Sequence, residues 1–231
     1  MPFDPGKVPV TEVEWAPCFR IIPSRYPPRN LFARVADDAD LAAVFAIESI
    51  TNDRLREERG EIRLVPDEDR SASSGMALVM APFTHLPPDG GRFTDGTFGA
   101  FYASHDLDTA IDETVYHRER FLAATKQDPL EVEMRVLRVR LKAELHDVRG
   151  LGGGHPEIYQ SEDYAAGQTL GRALRDKGSW GLVYDSVRRE GGECAAVYRP
   201  RAILRCQQAQ HLAYVWDGTR ISSIYQKRVL R

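Results

Sequence analysis

Cysteine is scarce in this chain, and the spacing of the three present excludes as much as their number. Cys18, Cys194 and Cys206 form an odd set without a CxxC pair. That argues against a disulfide framework or a zinc site and fits reduced thiols in the cytoplasm. Long apolar runs are missing too; none approaches the roughly 18 residues of a membrane span. The opening MPFDPGKVPV has neither the basic nor the apolar block of a signal peptide. There is no basic surplus: 31 Lys and Arg against 34 Asp and Glu leave a net charge of −3, which argues against direct nucleic-acid binding. HExxH and GxSxG frames are absent, so neither a zinc hydrolase nor a serine hydrolase is indicated. What is present is 231 residues, 42% hydrophobic and 28% charged, enough for one globular domain with a full core.

The most informative stretch is Gly91 to Phe121, GRFTDGTFGAFYASHDLDTAIDETVYHRERF. A glycine-rich loop holds Arg92. An apolar run, Phe98 to Ala103, reads as a buried strand. Asp106 and Asp108 can cap a helix from about Thr109 to Ala124, with Glu113 in its first turn. An arginine suits phosphate, an aromatic (Tyr102) a flat ring, and a carboxylate a developing cation. Together these are the needs of a nucleotide-sugar site.

Elsewhere the pattern mixes hairpins with separate helices, which favours an α+β fold with a mostly antiparallel sheet. Residues 1 to 17 read as an extended arm, and Cys18 to Ile22 as the first strand, ended by Pro23. LAAVFAIESI reads as a helix packing through Leu41, Val44 and Phe45. Asn52 to Ser74, dense in both charges, reads as a surface excursion. Glu131 to Leu141 is a strand whose apolar phase slips, through a bulge or burial on both faces. GLGGG (residues 150–154) lacks the frame of a phosphate loop and reads as a turn. A helix runs from about Ser161 to Lys177, with Gly178 as its stop. WGLVYDS and CAAVY are two strands, and Asp217-Gly218 joins a C-terminal hairpin.

Each candidate residue has a plain structural alternative. Arg20, inside an apolar run, needs an anion or a salt bridge. Arg92 fits a phosphate or a solvated loop. Tyr102 fits a stacking platform or the core. Glu113 fits a charge-stabilising role or a helix cap. His117, four residues on, either orients Glu113 or packs half-buried. Ser186 ends a strand.

Taken together, CFRIIP around Arg20, GRFTDGTFGAFYAS, DTAIDETVYH around Glu113 and GLVYDS with Ser186 resemble the RES domain, a family named for an arginine, a glutamate and a serine. The resemblance assigns these to Arg20, Glu113 and Ser186, with Arg92 and Tyr102 in the accompanying motifs. It implies an ADP-ribosyltransferase-like fold, a split and mostly antiparallel sheet with flanking helices. It also implies a single domain over residues 1–231, with an inserted helical and charged segment at about 35–85 and a C-terminal hairpin at about 209–228. The implied function is that of a toxin of a bacterial toxin–antitoxin pair that consumes NAD+ by hydrolysis, phosphorolysis or ADP-ribosyl transfer and needs no metal. The implied partner is an Xre-type antitoxin covering the active site, with a homo-oligomer inside that complex left open. In this reading Glu113 faces the oxocarbenium-like ribose, Arg20 and Arg92 bind the pyrophosphate, and Tyr102 stacks on nicotinamide. Ser186 bonds the carboxamide or orients Glu113. A non-catalytic binding protein of the same fold is the rival of another class.

Overall fold

The computed structural model of the protein describes residues 4–24, 64–69 and 76–228. The helix expected at Leu41 to Phe45 and most of the charged segment lie outside them. Among the described residues the order is β1 (Val10–Pro23), α1 (Met76–Thr84), β2 (Phe101–Ser104), α2 (Leu107–Ala124), β3 (Leu130–Asp147), α3 (Ala165–Asp176), β4 (Gly181–Asp185), β5 (Glu193–Val197), β6 (Ile203–Trp216) and β7 (Ile221–Lys227). The fold is α+β, as the pattern predicted.

The sheet is split. β1, β3, β6 and β7 form one antiparallel layer, and β2, β5 and β4 a second. The layers join at two short seams. β1 meets β2 at the pair Phe19 and Ser104, and β3 runs parallel to β4 at His146 and Asp147. Between the layers lies the largest apolar cluster, with Trp15, Cys18, Leu137, Leu141, Phe101 and Val183 among its members. α2 covers the outer face of the first layer through Ala110, against Ile21, Met134, Val136 and Tyr214. α3 covers the outer face of the second through Leu170 and Leu174.

Three sequence expectations are corrected here. The first strand begins at Val10, so part of the expected N-terminal arm is sheet. Its cross-strand register to β3 shifts between Trp15 and Cys18, where Pro17 has no N–H to give. The shift keeps Val13 and Trp15 on the same inner face as Cys18 and Ile22, although their parity differs. β1 therefore reads as two short runs, and only pairing with β3 makes it one strand.

The second correction concerns the charged excursion Asn52 to Ser74, expected on the surface: Val65 is 2% exposed and sits in the main cluster. Ala77 to Phe83, within the stretch expected to be inserted at about 35–85, forms most of α1, whose Val79, Met80 and Phe83 are buried in the same cluster. Third, β2 spans only Phe101–Ser104, where Phe98 to Ala103 was expected. The expected phase slip in β3 is burial on both faces in succession. Met134 and Val136 face α2, then Leu137, Val139 and Leu141 face the inner core. The irregularity opposite Arg135 and Leu137 falls in the pairing with β6.

Candidate active site

The catalytic candidate Glu113 stands on α2. Asp106 caps this helix, its side chain accepting from the Thr109 amide at 2.8 Å and from the Thr109 hydroxyl at 2.6 Å. The helix starts at Leu107, two residues earlier than expected. Glu113 is therefore in the second turn and outside the reach of the first-turn macrodipole argument. Side chains hold its carboxylate instead. Ser186 Oγ donates to Glu113 Oε1 at 2.6 Å, and the Cys194 thiol lies 3.9 Å from the same oxygen. Burial pushes that thiol up to about 12, and the Glu113 charge adds to the shift, so it stays protonated and able to donate.

Ser186 follows β4, and the turn after it is wound around its side chain. Its hydroxyl oxygen accepts from the amides of Arg188 and Arg189, both at 3.1 Å, while its own amide donates to Gly192 O at 2.7 Å. Arg189 then ties the turn to α2 through Asp112 (2.8 Å) and Asp108 (3.1 Å). Two elements 73 residues apart are thus locked with serine against glutamate. Of the two roles expected for Ser186, the geometry matches orientation of Glu113.

A cavity of about 630 Å³ opens beside this pair, lined by Arg20, Arg92, Tyr102, Glu113 and His117 among others. That is within the range of about 300–1,000 Å³ for small-molecule sites. All the expected side chains except Ser186 line it, and Ser186 is joined to it through its bond to Glu113. Arg20, on the inner face of β1, donates from Nη1 to Tyr102 O at 3.0 Å and lies 4.9 Å from the Phe101 ring centroid. Arg92 is 7% exposed. Its Nη1 donates to Gln160 O at 2.7 Å and more weakly to Ile158 O, and its guanidinium stacks on Tyr164. Both arginines therefore take part in the framework as well as in the wall. The Tyr102 hydroxyl accepts from the Phe93 amide at 3.0 Å. Burial raises its pKa, so the phenol stays neutral and braces the loop that carries Arg92.

That loop is seated by glycine. A Cβ at Gly167 would come within 2.3 Å of Arg92 O, and one at Gly171 within 2.1 Å of Phe93 O. Only helix positions without side chains let the loop backbone lie on α3 this closely.

His117 also lines the cavity, one turn on from Glu113, and it bonds neither Glu113 nor Ser186 in the described geometry. His117 is exposed; desolvation against the cleft lowers its pKa to about 4, and Arg188, Arg118, Arg92 and Arg120 push the same way. Sequence reasoning missed Arg118, Arg120 and Arg188. The signal was there for Arg118: Ala110, Glu113, Thr114, His117, Arg118 and Phe121 all line the cavity at the i, i+3, i+4, i+7 spacing of one helix face. Arg188, brought in by the turn after β4, gave no local signal.

The family model for the RES domain matches residues 68–217. The chain belongs to the RES domain family. Arg92, Tyr102, Glu113 and Ser186 fall inside the matched range of this RES domain, and Arg20 precedes it. The RES chain is also 33% identical over 208 residues to the uncharacterized protein y4oC of Sinorhizobium fredii (strain NBRC 101917 / NGR234), covering 90% of this chain and 86% of that protein. A solved structure with some likeness is the M. tuberculosis MbcT–MbcA toxin–antitoxin complex: TM-score 0.45, 12% identity, 90% of this chain and 87% of the other. Among the described residues no helix is long and apolar enough to cross a membrane.

Proposed function

We propose that this RES domain cleaves the bond between ribose and nicotinamide in NAD+ and acts as the toxin of a bacterial toxin–antitoxin pair, with an Xre-type antitoxin covering the cavity. The observation that carries the reading is the Glu113 carboxylate, oriented by Ser186 at 2.6 Å on the wall of a cavity otherwise rich in arginine. When the C–N bond breaks, its electron pair leaves with nicotinamide, which departs neutral. The ribose gains positive charge, which Glu113 stabilises more in the transition state than in the ground state. A water molecule then adds to the ribose carbon and loses a proton to solvent. Tyr102 forms part of the wall against which the nicotinamide ring stacks. Because the pyridinium leaves as a neutral molecule, the protein has no leaving group to protonate.

The test is Glu113→Gln, which keeps the shape and removes the charge. NAD+ turnover, followed as released nicotinamide, should fall by at least about 100-fold, given the several kcal/mol such electrostatic groups contribute, with a native-like thermal melt. Turnover close to wild type would remove Glu113 from the chemistry. Product analysis by mass spectrometry, with and without inorganic phosphate and in the presence of cell protein, separates hydrolysis from phosphorolysis and ADP-ribosyl transfer.

A further inference from the structure

Resting on that reading, we propose that Cys194 is a second positioning residue for Glu113, and that Ser104 and Tyr184 hold its thiol so that the proton points at the carboxylate. The three side chains form a row across the sheet. Cys194 on β5 stands directly opposite Ser104 on β2 and directly opposite Tyr184 on β4. Residues paired across strands share a face, and here that face is the cavity, which all three line together with Glu113.

The direction of the hydrogens follows from the partners. Ser104 is 5% exposed, and among the described residues the partner of its hydroxyl is Cys194 Sγ, at 3.4 Å. The Tyr184 side chain bonds the same sulfur. Burial pushes the thiol up to about 12 and the Tyr184 phenol well above its ordinary value, so both keep their protons. The acceptor at the end of the row is a carboxylate. Hydroxyls that donate to sulfur free the S–H for Glu113 Oε1, 3.9 Å away; the reverse order would turn sulfur lone pairs toward the negative charge.

Ser186 and Cys194 thus converge on one oxygen, Oε1. Two donors from two strand ends fix the rotation of the carboxylate, and neither bonds Oε2. That oxygen is the one left to meet the ribose as positive charge develops. A thiol is a weak donor, so it steers the group while leaving most of its charge to the substrate. Cys194 also belongs to the apolar cluster under α3, and the test has to separate packing from this bond.

The experiment compares Cys194→Ala, Ser104→Ala and the double variant by steady-state nicotinamide release and thermal melting. Cys194→Ala should lower kcat by about two- to tenfold, the scale of one modest hydrogen bond, with KM within about twofold. Ser104→Ala should cause a smaller fall in kcat. It should add nothing once Cys194 is alanine, because it acts through the thiol. A lowered melt with unchanged kcat in Cys194→Ala makes the residue packing alone and overturns the proposal. So does a raised KM with intact kcat, or a Ser104→Ala loss that persists undiminished in the double variant. Infrared spectroscopy gives a readout independent of turnover. The Cys194 S–H stretching band, assigned by its loss in Cys194→Ala, should shift in Glu113→Ala; an unmoved band overturns the donor direction even if NAD+ cleavage stands. A wild-type protein that releases no nicotinamide overturns the functional reading, and this role with it, whatever the band does.

Discussion

Removing one hydroxyl, Ser186→Ala, tests whether the serine works through the glutamate. The wild-type oxygen donates to Glu113 Oε1 at 2.6 Å and accepts from the Arg188 and Arg189 amides at 3.1 Å. A hydrogen bond to a charged group contributes about 1.5–3 kcal/mol. If all of it fixes the carboxylate where positive charge develops, kcat falls by about one to two decades, at 1.36 kcal/mol per decade. KM should stay within about threefold, since an interaction felt only in the transition state leaves ground-state binding alone. The two amides also lose their acceptor. They sit in a half-buried turn that Arg189 still ties to Asp108 and Asp112, so melting should drop by only a few degrees. Steady-state nicotinamide release gives kcat and KM, and a thermal melt gives the structural cost. Ser186→Thr keeps the hydroxyl and should recover part of the lost rate. A lowered melt with unchanged kcat would show that the serine only closes its turn. A raised KM with intact kcat would place it on the substrate.

Arg20→Ala should lower the melting temperature by several degrees, through loss of the bond to Tyr102 O and the contact with Phe101, at about 2–4 °C per kcal/mol for a chain of this size; a large rise in KM without a change in melting would return Arg20 to the phosphate. Gly171→Ala places a methyl 2.1 Å from the Phe93 carbonyl, so α3 or the Arg92 loop must shift, with a cost of about 1–3 kcal/mol; an unchanged denaturation midpoint and unchanged turnover would show that the loop is not seated as described. Phe83→Ala should cost about 3–5 kcal/mol in denaturant unfolding because α1 belongs to the main core; a cost under about 1 kcal/mol would make α1 a surface addition.

Local chemistry in the sequence was enough to place several elements. Asp106 before α2 has a short carboxylate that can reach back to the helix amides, and it does so at Thr109. Asp217-Gly218 between two alternating runs is a turn signal, and β6 and β7 pair across it. Gly178, at φ 78°, ends the sequence after α3 because that backbone conformation suits glycine. The run from Gly91 to Phe121 likewise set loop, strand, helix and Glu113 in order. These features depend on residues within a few positions of one another, so they are written in the chain itself.

Contacts between distant segments decided the rest. β1 exists as one strand only because β3 pairs with it on both sides of Pro17, and nothing near Pro17 announces that partner. Arg20, an arginine in an apolar run, called for an anion or a salt bridge; packing also brings its Nη1 to a backbone carbonyl 82 positions away, which nothing near it in sequence announces. Ser186 sits in GLVYDS without a nucleophile frame around it, and its meeting with Glu113 comes from β4 lying beside β5 and the following turn being tied to α2 by Arg189. The arginines around His117 are ordinary surface residues in sequence, and only the approach of α2, the Arg92 loop and the turn after β4 makes them one field. Hydrogen bonds and charge act across space, so which residues share a site is settled by packing.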